Sequence, residues 1–116
     1  MERSRETMTF EDVFRQMKEL LSGVDVAQRT EHLAFQFQIE GEGEGNFYVE
    51  LKDGKLYVEP YEYYDRDVLF RGKASTFLDI ARGKVDPVLA FTLGKLKVEG
   101  DMGKALLVKE FVKKKG

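Results

Sequence analysis

Few residues in this chain are of a type that could attack a bond, carry a proton or hold a metal. There is a single imidazole, His32 beside Glu31, and no cysteine. The serines are Ser4, Ser22 and Ser75, and no G-x-S-x-G turn presents one to a base. One histidine without cysteine leaves the common nitrogen and sulfur ligand sets unassembled. Carboxylates are plentiful, 21 in all, but no spacing selects a pair for acid–base work. The chain is therefore expected not to be an enzyme, with no catalytic residue, no metal and no cofactor.

Phosphate chemistry fails on similar grounds. Gly41-Glu42-Gly43-Glu44-Gly45-Asn46 lacks the last glycine of a dinucleotide loop and joins two strands rather than a strand and a helix. Glu42 and Glu44 would also repel a phosphate. Lys73 and Lys95 each follow a glycine, yet neither sits in a Walker loop. Asp65-Arg66-Asp67 opens like a calcium loop, but Leu69 and Phe70 stand where an oxygen ligand and a glycine are required.

With chemistry set aside, charge narrows the partners. The net charge is −2, split between an acidic stretch over 1–66 and a basic one over 67–116. An acidic chain without a concentrated basic stripe is a poor nucleic-acid ligand, whereas an anionic membrane surface could meet the basic half. No apolar run approaches the ~20 residues that cross a bilayer, and the N-terminus lacks the apolar core of a signal peptide. The expectation is one domain over 1–116, cytoplasmic, a monomer or weak homodimer.

The elements follow from periodicity. Phe10, Val13, Phe14, Met17, Leu20 and Leu21 make one helical stripe, capped by Thr9 and ended by Gly23. Leu33, Phe35, Phe37 and Ile39 alternate with Ala34, Gln36, Gln38 and Glu40, a strand with one apolar face. Phe47, Val49 and Leu51, the turn Asp53-Gly54, then Leu56 and Val58 read as a hairpin pairing Lys52 with Lys55 and Glu50 with Tyr57. A tyrosine-rich loop leads to a fourth strand at Val68, Leu69 and Phe70. Ser75 is expected to cap a short helix, Asp86-Pro87 to start another, and Leu96 and Val98 to form a fifth strand. Asp101 is expected to cap a last helix running through Val112. The fold class is α+β, a mostly antiparallel five-stranded sheet with helices on one face.

The three later helical segments carry more apolar positions than one stripe needs. A helix apolar nearly all round is buried on two sides, meets a partner or borders a cavity, and periodicity does not choose among these.

The residues do carry a resemblance. Gly41-Glu42-Gly43-Glu44-Gly45-Asn46-Phe47, Asp53-Gly54-Lys55-Leu56-Tyr57-Val58 and Asp65-Arg66-Asp67-Val68 look like the sterol carrier protein-2 domain family. So do Gly83-Lys84-Val85-Asp86-Pro87-Val88-Leu89-Ala90-Phe91 and Gly94-Lys95-Leu96-Lys97-Val98-Glu99-Gly100-Asp101-Met102. The resemblance implies strand order 3-2-1-4-5 and helices enclosing an apolar tunnel for fatty acid, acyl-CoA, phospholipid or sterol-like ligands. By position it implies a floor from Phe35 and Phe37. The implied walls are Phe77, Ile80, Ala81, Leu89, Ala90, Leu93, Met102, Leu106 and Phe111, with Arg82, Lys104 and Lys109 as head-group candidates. Lys104 stands where an apolar residue is more usual in the family. The sequence also ends without the peroxisomal tripeptide of some relatives and is read as a stand-alone domain. The resulting expectation is reversible lipid binding and transfer. The alternatives are a domain that presents a polyisoprenoid or other lipid intermediate to enzymes, and a ligand-free interaction module.

Overall fold

The computed structural model describes residues 8–111. It begins with α1 (Phe10–Ser22), whose Thr9 side chain accepts from the Asp12 N–H while Asp12 caps back, a reciprocal box. Strands β1 (Leu33–Glu40), β2 (Gly45–Lys52) and β3 (Lys55–Glu59) form an antiparallel meander. The β2–β3 turn places both Asp53 and Gly54 at positive φ, the geometry that matches the twist of two paired strands. It sets the expected register, with Lys52 opposite Lys55 and Glu50 opposite Tyr57. Strand β4 (Val68–Lys73) then pairs with β1, and β5 (Leu96–Gly100) with β4, giving the order β3-β2-β1-β4-β5.

All pairings are antiparallel except β1 with β4. A parallel pairing ordinarily demands a long return connection. Here β3 stops level with Gln36, through Tyr48, and β4 starts level with Phe35, so residues 60–67 need only cross sideways over the sheet. Their passage corrects one expectation. Ala34 and Gln36, on the outward face of β1, are buried beneath that segment. Gln36 is satisfied there: it donates to Asn46 and accepts from the Tyr63 N–H and the Arg66 guanidinium.

The other sheet face carries α1, α2 (Ala74–Ala81), α3 (Pro87–Thr92) and a C-terminal strap made of α4 (Met102–Ala105) and a 3-10 segment (Leu106–Phe111). Two capping expectations come out differently. Strand β4 runs directly into α2, whose N-cap is Lys73 with no side-chain bond, so Ser75 lies inside the helix and caps nothing. Asp101 does cap α4 through the Lys104 N–H, but the helix gives way to 3-10 geometry after one turn. The last helix expected through Val112 is thus 3-10 over Leu106–Phe111, and Val112 itself lies outside the described residues. No helix among those described is long and apolar enough to cross a membrane.

On the outer face, Glu50 accepts from the Tyr63 hydroxyl at 2.8 Å and lies 2.6 Å from His32 Nε2. Burial pulls the Glu50 carboxyl up, but the bonds from His32 and Tyr63 outweigh it and leave the pKa below its ordinary 4.5. The same carboxylate, with burial second, pushes the Tyr63 phenol to about 12. A raised phenol pKa stabilises the fold fully below pH 10, and that contribution is lost as pH rises from 10 towards 12. Glu50 acts oppositely, stabilising above pH 4.5 and losing its effect as pH falls through its lowered value. An ultraviolet tyrosinate titration should show one phenol ionising close to 12, and Glu50→Gln should bring it back towards 10.

Candidate functional site

Phenylalanine builds the floor of the interior. In the register of β2, β1 and β4, Phe47, Phe37 and Phe70 fall opposite one another. The Phe37 ring stacks on Phe47 at 5.0 Å and on Phe70 at 5.2 Å, and meets Phe77 of α2 edge-on at 5.5 Å. Phe35 turns its ring edgewise to Phe70 and to Phe111 at the end of the strap. Such aromatic pairs contribute about 0.5–1.5 kcal/mol each beyond their buried area.

Above this floor lie two apolar cavities. The inner one, about 40 Å³, is bounded by Phe35, Phe37, Phe77, Ile80, Ala81 and Phe111, together with Met17 and Leu21 of α1 and Val49 of β2. The outer one, about 170 Å³, lies among Val88 and Phe91 of α3, Val98 of β5, and Met102, Ala105, Leu106 and Lys109 of the strap. Phe70, Pro87, Leu96 and Val108 border both, so the two spaces adjoin. By the rule that roughly 10–15 Å³ admits one water, both have room for solvent. Their walls offer it almost no polar partner, Lys109 excepted, so an apolar ligand displaces it without leaving polar groups unpaired.

The strap roofs both spaces and is fastened near its two ends. At its start, Lys104 Nζ donates to Asp67 Oδ1 at 3.0 Å, while the other Asp67 oxygen accepts from the Ala34 N–H. That carboxylate holds the Lys104 ammonium above its ordinary pKa. At its end, Arg29 pairs with Glu110 at 3.3 Å and lies over the Phe111 ring, its carbon 5.4 Å from the centroid. Gly100 makes the first fastening feasible. Its φ is +114° and a β-carbon there would collide with the Asp67 carbonyl, so only glycine lets β5 turn into the strap.

The positions expected to line a tunnel thus fall in three groups. Phe35, Phe37, Phe77, Ile80, Ala81 and Phe111 surround the inner cavity, and Met102 and Leu106 the outer. Ala90 is buried in the core, while Leu89 and Leu93 are exposed, and none of the three borders either cavity. Of the head-group candidates, Lys109 is at the outer cavity; Lys104 is turned to Asp67, and Arg82 donates to Gln16 of α1. Sequence reasoning passed over Val49, Phe70, Leu96 and Val98, although their inward alternation along the strands was readable.

This arrangement, a sheet of that order roofed by helices over apolar space, agrees with what the sequence matches. Residues 10–113 match the SCP-2 sterol transfer family. The chain belongs to that family. It is 32% identical over 111 residues to hydroxysteroid dehydrogenase-like protein 2 of Xenopus tropicalis, covering 95% of this chain but 26% of that one. The domain therefore spans about a quarter of the length of that relative. With sterol carrier protein 2 of Arabidopsis thaliana it shares 33% identity over 95 residues, 77% of each chain. Its fold matches the solution structure of palmitated sterol carrier protein 2-like 2 from Aedes aegypti, with a TM-score of 0.66 at 23% identity over 89% of this chain and 93% of that one. The SCP-2 domain is a lipid-binding fold, and this chain has it.

The fastenings at the strap generate a test. Arg29 also pairs with Glu31 at 2.6 Å, so replacing it removes two partly exposed ion pairs and a cation–π contact, together costing on the order of 1 kcal/mol. Arg29→Ala should therefore lower Tm by about 4–8 °C and speed amide exchange over residues 106–111 by more than it speeds exchange in the sheet.

Proposed function

We propose that this SCP-2 domain reversibly binds one lipid, its acyl chain or sterol-like body occupying the two cavities as a single tunnel. The observation that carries the reading is their shared border: Phe70, Pro87, Leu96 and Val108 line both, so the spaces adjoin, and rotation of Phe70, Leu96 or Val108 would join them. The palmitated mosquito relative carries an acyl group on the same fold, which supports the reading. Fatty acid, acyl-CoA, phospholipid and sterol-like lipids are the ligand classes.

The process is an equilibrium and not a reaction. Each buried methylene contributes about 0.8 kcal/mol, so a sixteen-carbon chain gains on the order of 10 kcal/mol. Both cavities are small for that chain, so the strap must swell outwards over it. That movement, with the ordering of the ligand, offsets part of the gain. Affinity near micromolar results, tight enough to hold a lipid and loose enough to release it. Apolar walls discriminate poorly among ligands, so selectivity is broad, and Lys109 is the group placed to meet an acidic head group at the outer cavity.

Val108→Trp tests this directly, because that side chain borders both spaces. Displacement of a fluorescent fatty acid should saturate at one site per chain for the native protein and weaken about tenfold or more in the variant. Circular dichroism should remain native. Lys109→Glu should weaken a fatty acid several-fold at low salt and leave its methyl ester unaffected. Native affinity in Val108→Trp would move the site elsewhere.

A further inference from the structure

The exposed apolar surface of the domain is concentrated in one region. Among the described residues, the large aliphatic and phenylalanine side chains left exposed are Val88, Leu89, Phe91, Leu93, Met102 and Leu106. The remaining exposed large hydrophobics are tyrosines, whose hydroxyls suit them to water. Four of the six border the outer cavity and form its rim. Leu89 and Leu93 do not. They stand on the other flank of α3 with 52% and 60% of their surfaces exposed, and no element of the domain covers them. A ridge of this kind marks a surface that meets another phase or molecule.

We propose that α3 and the strap rim dock on a bilayer containing anionic lipids, with Leu89 and Leu93 entering its interfacial layer beside the mouth of the outer cavity. The inference rests on the tunnel reading above and supplies its route of loading. Charge selects the occupant. Lys84 precedes α3, Lys95 follows it and Lys109 sits on the rim; all three are exposed, and among the described residues none has an ion-pair partner. The carboxylates nearby, Asp86 and Asp101, are exposed but engaged as helix caps, accepting from the Leu89 and Lys104 N–H groups. The face is therefore an apolar ridge set among cations, the pattern that binds an anionic lipid interface. A second copy of the chain would bring the same lysines against one another. Continuity favours a bilayer as well, because a lipid leaving it would enter the cavity without exposing its chain to water.

Co-sedimentation with vesicles of phosphatidylcholine, alone and mixed with phosphatidylglycerol, tests the proposal. The native protein should bind the mixed vesicles more tightly, and salt should weaken the binding. The Leu89→Asp, Leu93→Asp double variant should partition about tenfold or more weakly, yet displace fluorescent fatty acid in solution as the native protein does, since neither side chain borders a cavity. Lys84→Glu with Lys95→Glu should abolish the preference for phosphatidylglycerol, without touching the apolar ridge. No vesicle binding by protein that still takes up fatty acid would overturn the docking surface. So would native vesicle binding by the leucine variant, or a dimer in solution that this variant dissolves. Vesicle binding that persists in a protein unable to take up fatty acid would uphold the docking surface and reject the tunnel.

Discussion

The stack of Phe47, Phe37 and Phe70 across β2, β1 and β4 is the contact on which the rest of the domain depends. It lies where the antiparallel meander meets the parallel pairing, so it fixes the lateral position of both halves of the sheet. Flat rings at that point also leave no long side chain to fill the space above them. Helix α2 reaches down with one ring, Phe77, and the strap with another, Phe111, which touches Phe35. Between these supports lies the apolar space. The domain's floor is rigid and its roof is held at intervals, and the cavities follow from that difference.

The roof is correspondingly weak in a specific way. A sheet gains its stability from continuous backbone pairing, while the strap is four residues of α-helix followed by 3-10 geometry. Hydrogen bonds in that geometry are poorer, and longer runs of it are uncommon. The strap is kept down by side chains near its ends, Lys104 on Asp67 and Arg29 on Glu110 and Phe111, with Leu106 and Val108 spanning the cavities between. Partly exposed ion pairs of this sort contribute at most about 1 kcal/mol each. Burying a hydrocarbon chain gains several times that, which is the balance a reversible carrier needs.

Much of this was legible in the residues. Alternation in β1 and β2 and the Asp53-Gly54 turn determine the hairpin register, because a slip of one residue would turn Phe47, Val49 and Leu51 out to solvent. The strand order was available only through family resemblance, since nothing local tells β4 to pair with β1. Where periodicity loses its contrast, the reading loses its power. Helix α3 is apolar on nearly every side, so the sequence could not say that Ala90 faces the core while Leu89 and Leu93 face out. The strap has the same character, and its change of pitch left no mark on the pattern. Lys104 was readable as a charge near the cavity, but its pairing with Asp67 depends on the crossing of residues 60–67, which brings distant segments together. Burial of Ala34 and Gln36 has the same non-local origin.

The most direct test of the account is to locate a bound acyl chain. A fatty acid bearing a diazirine midway along its chain, bound to the native protein and irradiated, would mark its own surroundings. The account predicts cross-links to residues bordering the cavities, concentrated in the peptides that carry Phe70, Phe77, Val98 and Val108. Saturating unlabelled fatty acid should suppress them. Cross-links confined to the outer sheet face, around Tyr48, Tyr57 and Tyr63, would contradict it and place the lipid on the wrong side of the sheet.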